Sequence, residues 1–445
     1  MRVLVTGFPH VTHLNHLIPH AQALQAEGHE VVVACPPGAE EQIVAAGLPA
    51  VKTGEPEPHS LQNWAKYGLL PSPEEMEELA VKLDLSGDER DNWDAYYQFF
   101  LFSARYYLPP EPREDIDNLI AFAKQWQPDL VLWESWFPCG GVVAKAAGAA
   151  SGRVLNGPDY GGWAIEKFAE RVAEGHETPV NPLEISLRAL ADRHGVDVDD
   201  DVLLGHFTID AIPAESMRLS RNISTVPVRW VPYNGGSVLP EWLHERPQRP
   251  RVALTVGVST RAYHEGVDLI PKVFEAIEGL DIEVIGTFNE NQLVGAPPVP
   301  ENLRVVDYVP LTSLLPTCVA AIHHGGSGSF VATLAAGIPH VIADTEEPQR
   351  MVFSGEGESI SVTVTERSVD AWLTARLVKE TGAGVQINRI TQSAAEIRAA
   401  LLAVLNDPSY ADAAKSMHDA WLARPTPAGI IPDLEKLTEF HRPTR

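Results

Sequence analysis

Twice along this chain, short β-branched runs end in a turn and hand over to segments whose apolar residues recur at helical spacing. The first series opens RVLVTG, ending in Gly7, and continues as HLNHLIPHAQALQAEG until Gly28 stops the helix. HEVVVACP then supplies a second strand and EEQIVAAG a second short helix, and IDNLIAFAKQWQPDLVLWES and GGVVAKAAGAASGRVLN repeat the unit. Such alternation constrains the chain to a largely parallel sheet covered by helices. A Pro-rich crossing, PYNGGSVLPEWLHERPQRPR at 232–251, precedes a second series: RVALTVGVS, DLIPKVFEAIEG, DIEVIGTF, LRVVDYVP and VAAIHHGG. The expected fold class is α/β, with two Rossmann-like domains facing across a cleft and ligands at the carboxyl ends of the strands. The pattern places an N-terminal domain at 1–215, a linker at 216–250, a C-terminal domain at 251–425 and a tail at 426–445 free to cross back.

The 445 residues suffice for two cores of ordinary size. A formal net charge of −26 argues against a broad nucleic-acid footprint, although a local anion pocket is compatible with it. Cys35, Cys139 and Cys318 lie far apart in apolar runs and read as buried free thiols. No apolar segment has the length to span a bilayer, and MRVLVTGFP enters a strand directly without a signal peptide, so the cytoplasm is the expected compartment.

Two regions break the alternation. Residues 52–115 are acidic and irregular before DNWDAYYQFFLFSARYY, where Trp93, Tyr96, Tyr97, Phe100, Tyr106 and Tyr107 fall roughly along one helical side. Aromatics that dense form core, an apolar acceptor pocket or a partner groove. TEEPQRMVFSGEGESISVTVTERS, 345–368, ends in alternating apolar residues and reads as an inserted hairpin or flap.

The chemistry gathers at two strand ends. After Gly7 there is neither a GxGxxG nor a Walker lysine; the turn instead carries His10, His13 and His16, with His20 beyond. No matching Cys, Asp or Glu cluster accompanies them, so no metal is assigned. A histidine at the mouth of a site can instead take a proton from an attacking hydroxyl. Such a base needs a carboxylate to fix its tautomer, and Glu134 in LVLWESW and Asp159 in LNGPDYGG are both candidates. In the second half, IHHGGSGSF runs strand, glycine-rich turn and helix start, exposing several backbone N–H groups at one point. His324, neutral or charged, with the N–H groups of Gly326, Ser327 and Gly328 and the hydroxyls of Ser327 and Ser329, suits a diphosphate leaving group.

The chain resembles GT-B glycosyltransferases of the macrolide and polyketide type, which move deoxysugars from TDP donors. Matching segments include MRVLVTGFPHVTHLNHLIPHAQALQAEGHEV, DLVLWESWFPCGGVVAKAAGAASGRVLNGPD, VPVRWVPYNGGSVLPEWL, DYVPLTSLLPTC and AAIHHGGSGSF, spread over most of the chain and weakest at 55–115. The resemblance implies His13 as catalytic base, His324, Gly325, Gly326, Ser327 and Gly328 as the diphosphate turn, and Ser259 as a serine facing the phosphates. It implies that Val309 holds the nucleobase through backbone atoms. VDAWLTARLVKETGAG resembles the family segment in spacing, which implies Asp370 as the sugar contact, with Ala371 where a hydrogen-bonding residue is usual and Asp344 and Glu346 as rivals.

The expected function is inverting, metal-independent transfer of a deoxysugar from a TDP-sugar to a hydroxyl of an apolar polyketide-like acceptor, without a further cofactor. C-glycosyl transfer uses similar frames. A nucleotide-sugar epimerase and a non-catalytic nucleotide-sugar-binding or activator protein are the alternative readings. The resemblance also implies a cytochrome-P450-like auxiliary protein bound at the N-terminal domain and leaves room for a homodimer.

Overall fold

The computed structural model describes residues 1–8, 10–35, 38–54, 73–100, 113–178, 180–221, 223–258, 269–344, 351–355, 358–362 and 369–442. The chain divides into two compact units, one of Met1–Val231 with Pro425–Arg445 and one of Pro232–Arg424.

The first unit is built on β1 (Arg2–Thr6), β2 (Glu30–Cys35), β3 (Ala50–Lys52), β4 (Leu130–Glu134), β5 (Ala150–Val154), β6 (Phe207–Asp210) and β7 (Thr225–Pro227). These run parallel in the order β3-β2-β1-β4-β5-β6-β7. Every residue of β4 and β5 is buried, because helices cover both faces, and that explains the unbroken apolar run LVLW. The first helix, Val11–Ala26, turns Leu14, Leu17, Ile18, Ala21 and Leu24 inward at helical spacing.

The interval 216–250, expected as linker, is divided. Thr225–Pro227 pairs with β6 as an edge strand, and the first unit continues to Val231. A three-residue strand carries too little periodicity to be seen in sequence. The helix Ile431–His441 belongs to the first unit, where Arg442 meets Asp129 at 2.6 Å.

The second unit repeats the architecture with β8 (Arg251–Thr255), β9 (Glu283–Thr287), β10 (Leu303–Val306), β11 (Ala320–His323), β12 (His340–Asp344) and, later, β15 (Gly384–Asn388). These strands are parallel in the order β10-β9-β8-β11-β12-β15. Between β12 and β15, β13 (Met351–Gly355) and β14 (Glu358–Val362) form an antiparallel pair with Phe353 opposite Ile360. In each unit the strand order reverses direction between the first strand and its neighbour across the sheet, β1/β4 and β8/β11. The carboxyl ends at such a reversal leave a crevice for ligands.

The acidic stretch expected as irregular contains the helices Pro73–Lys82 and Gly87–Asp91, followed by Trp93–Phe100. Trp93, Tyr96, Tyr97 and Phe99 are all buried. Trp93, Tyr96 and Phe99 meet rings of the helix Tyr160–Ala173, with Tyr96 edge-on at 4.4 Å from Trp163 and 4.9 Å from Tyr160, ring centre to ring centre. Tyr106 and Tyr107 lie outside the described residues.

Candidate active site

At the β1/β4 reversal, β1 ends at Thr6 and the chain passes Gly7 into the helix that carries His13. His10 is the N-cap, its Nδ1 accepting from Thr12 N. His13 Nδ1 lies 3.1 Å from Oε2 of Glu134, the last residue of β4. Glu134 is fully buried, and its other oxygen accepts from Trp136 N at 3.0 Å and from the Ser135 hydroxyl at 3.3 Å. A carboxylate has no hydrogen to give, so the contact requires the proton on His13 Nδ1 and leaves Nε2 with its lone pair. Around the ring stand Phe8, Trp136 and His10, at centroid distances of 4.9, 5.7 and 6.1 Å. Trp136 in turn meets Phe99 at 5.6 Å, so the aromatic helix reaches the wall beside His13.

Asp159, the other carboxylate candidate, is placed elsewhere. Its oxygens take both ends of the Arg153 guanidinium at 2.9 and 2.7 Å, the Ser220 hydroxyl and Gly162 N. It caps the helix Tyr160–Ala173 as half of a buried ion pair and does not meet His13. The group that sequence reasoning missed is Asn156, in the same LNGPD loop, whose amide nitrogen Nδ2 is placed 2.6 Å from His13 Nδ1.

His16 and His20, the remaining histidines of the first helix, are buried. Burial lowers the His20 pKa to about 4 and holds His16 well below its ordinary value. Among the described residues no group of three or more His, Cys, Asp or Glu is placed to hold a metal ion.

In the second unit, β11 ends at His323 and the turn His324–Gly326 leads into the helix Ser327–Ala336. The turn is braced from three sides. Gly325 N donates to His323 Nδ1 at 3.2 Å, and His323 Nε2 faces His340 Nδ1 at 3.0 Å. Thr374 donates its hydroxyl to Gly325 O at 2.7 Å. Ser327 N donates to Asp370 Oδ2 at 2.9 Å. Asp370, implied as the sugar contact, thus satisfies a helix N-terminal amide with one oxygen, and that amide is taken from the diphosphate donors expected here. The N–H groups of Gly328 and Ser329 have no acceptor among the described residues.

His324 is half-buried, and its Nδ1 is buried with no hydrogen-bond partner among the described residues. Burial, with the nearby charge of Arg389 second, lowers its pKa to about 4, so the ring is neutral at neutral pH. It can offer an N–H to an anion but not a cation. Two glycines make room for it. A methyl at Gly257 would sit 2.4 Å from His324 Cε1, and one at Gly326 2.4 Å from Nε2. Gly257 also has φ +81°, a conformation that favours glycine.

Val309 turns its side chain into a core with Leu314, Leu315 and Cys318, while its main-chain N–H and C=O have no partner among the described residues. Asp344 ends β12 and lies 3.4 Å from the Gln386 amide. Ser259 and Glu346 lie outside the described residues. Ala371 is buried against the turn, where a methyl at Gly325 would meet its Cβ at 2.8 Å.

Two Rossmann-like units, one with a histidine–carboxylate pair and one with a braced glycine-rich turn at a helix N-terminus, define the class as a GT-B glycosyltransferase. Solved structures agree: the spinosyn forosaminyltransferase SpnP superposes with a TM-score of 0.76 at 32% identity, covering 99% of both chains. The glycosyltransferase VinC in complex with DTDP superposes with a TM-score of 0.77 at 28% identity, over 99% of this chain and 100% of that one. The chain belongs to the erythromycin biosynthesis protein CIII-like family of deoxysugar glycosyltransferases, whose N-terminal domain model matches residues 22–257 and whose C-terminal model matches 271–356 and 357–437. Among its relatives, the 10-deoxymethynolide desosaminyltransferase of Streptomyces venezuelae is 38% identical over 99% of this chain and 98% of its own length. The tylactone mycaminosyltransferase of Streptomyces fradiae is also 38% identical, over 99% of this chain and 93% of its own. No helix of the described residues is long and apolar enough to cross a membrane.

Proposed function

We propose that this enzyme transfers a deoxysugar from a TDP-sugar to a hydroxyl of an apolar, polyketide- or macrolide-like aglycone, with inversion and without a metal. The observation that carries the reading is His13 Nδ1 against the buried Glu134 carboxylate, which leaves Nε2 as a base. The acceptor hydroxyl gives its proton to His13 Nε2 as its oxygen bonds to the anomeric carbon. The bond from that carbon to the diphosphate oxygen breaks on the opposite face, and TDP departs. Glu134 stabilises the imidazolium that forms. The departing charge is received by the N-terminus of the helix Ser327–Ala336, the amides of Gly328 and Ser329 and the N–H of neutral His324. Val309 meets the nucleobase through its main chain, and Asp370 lies at the turn as the residue that meets the sugar. The aromatic residues that reach Trp136 favour an apolar acceptor. The names of the relatives, which cite 10-deoxymethynolide, aclacinomycin-T and tylactone, support the same class.

His13→Ala should lower kcat by about 10²–10⁴-fold while calorimetric TDP affinity is retained. Near-normal turnover, or loss of TDP binding, would remove His13 from the role of base. Titration with TDP beside UDP, GDP and ADP tests the donor class independently, and a preference for UDP would move it.

A further inference from the structure

The geometry points to Asn156 as a positioning residue for His13: its side-chain oxygen is a second acceptor on Nδ1–H, acting with Glu134 to keep Nε2 unprotonated. The inference rests on the reading of His13 as base. β1, β4 and β5 are adjacent in the sheet, and their carboxyl ends deliver His13, Glu134 and Asn156 to one point. The Asn156 amide is placed with its nitrogen, Nδ2, 2.6 Å from His13 Nδ1, closer than the 3.1 Å of Glu134 Oε2, and the hydrogen-bond chemistry decides which end of the amide belongs there.

An imidazole nitrogen presents in its plane either one hydrogen or one lone pair. Glu134 settles which. Its Oε1 already accepts from Trp136 N and Ser135, and Oε2 faces Nδ1, so Nδ1 must carry the hydrogen. An amide NH2 held against that hydrogen would be repelled. The two ends of a carboxamide have the same shape, and the network therefore turns Oδ1 toward the ring. One N–H is then shared between two acceptors brought from different strands, which fixes the ring plane as well as its tautomer. The same two oxygens remain in place when the ring takes up the acceptor's proton.

The loop that carries Asn156 is itself held. Three residues on, Asp159 is locked into the buried pair with Arg153 and into Ser220. The carboxylate that does not touch His13 thus anchors the loop that does. Among the described residues, the titratable groups that interact with the ring are Glu134 from β4, and His10 and His16 from its own helix and cap. Asn156 adds an acceptor without adding charge.

The test uses the full-length enzyme labelled with nitrogen-15 histidine, the His13 signals being identified by their loss in His13→Gln. At pH 8 the wild type should show a protonated Nδ1 and a bare Nε2. Asn156→Leu should raise the fraction with Nε2 protonated and lower kcat about tenfold to a hundredfold, with TDP affinity unchanged. Asn156→Asp keeps an acceptor oxygen and adds a negative charge. It should restore most of the turnover while moving the acidic limb of the kcat/KM profile to higher pH. A wild-type ring protonated at Nε2 would show that the amide donates and overturn the inference. So would an Asn156→Leu enzyme with unchanged tautomer and kcat. If His13→Gln turns over normally, the base reading fails, whereas an inactive His13→Gln beside an unaffected Asn156→Leu removes Asn156 alone.

Discussion

Gly326→Ala is the substitution that interrogates the donor turn with least disturbance elsewhere. Gly326 has ordinary helical-entry dihedrals, φ −62° and ψ 143°, so an alanine there strains no backbone. Its methyl would nevertheless lie 2.4 Å from His324 Nε2. Contact distances of about 3.5 Å or more require the ring to move by about 1 Å. The ring is half-buried and can swing outward, so the loss in folding stability should stay under about 1 kcal/mol. Binding should suffer more. A hydrogen bond to a charged phosphate is worth about 1.5–3 kcal/mol, which predicts TDP affinity weakened about tenfold to a hundredfold.

Two neighbours calibrate the result. Gly257→Ala pushes the same ring, with a methyl 2.4 Å from Cε1, but at φ +81°. It should weaken TDP similarly and cost a further ~1–2 kcal/mol of stability. Gly328→Ala meets nothing within 4 Å in the first turn of the helix and should be neutral or stabilising by up to ~1 kcal/mol, with TDP binding kept. Calorimetry and thermal melts of the three variants are the assay. Unchanged TDP affinity in Gly326→Ala would refute the placement of His324 against the diphosphate. Equal losses in Gly326→Ala and Gly328→Ala would mean that the phosphate packs on the main chain and that the ring is incidental.

The enzyme should also lose stability on mild acidification. Burial holds His10, His20 and His324 at a pKa of about 4 and His340 at about 3, all below the unfolded value of 6.5. The unfolded chain therefore binds more protons, and the stability these residues contribute is complete above pH 6.5 and drains away as pH falls toward 4. Each contributes a slope of up to about 1.4 kcal/mol per pH unit, so urea midpoints should fall steeply between pH 6.5 and 4.5; a flat profile there would contradict their burial as neutral rings. Asp159→Ala breaks an ion pair whose side chains are 2% and 4% exposed and should cost ~3–5 kcal/mol in urea unfolding. Glu134→Gln should instead fall on kcat, by about a hundredfold or more, and normal turnover in that variant would detach it from His13.

Much of this was legible in the sequence because the signals are local. β-branched runs, helical periodicity and stopping glycines specify strands and helices wherever they occur, and their alternation specifies parallel sheets. The glycine-rich turn after β11 announced its amides through Gly325, Gly326 and Gly328. The limits are equally physical. Asp159 looked as good a partner for His13 as Glu134, since both lie at the ends of buried strands; Arg153, the buried cation that claims Asp159, is the residue before the last of β5 and gives no periodic sign of its role. Asn156 stood three residues before the carboxylate that was considered, and an asparagine before glycine reads first as a turn residue.

The sequence by itself determined two α/β units, the turn that offers backbone amides and the histidine after the first strand, since each follows from a run of neighbouring residues. Only the tertiary structure decided that Glu134, 121 residues away, meets His13 and that Asn156 shares the same ring nitrogen. It also decided that Ser327 gives its amide to Asp370 and that His324 is neutral. The reason is the parallel sheet. Its register is set by packing over whole faces, and it brings strand ends from distant parts of the chain to one edge. Which groups meet there, and how much water is left around them, exists nowhere in a local stretch of sequence.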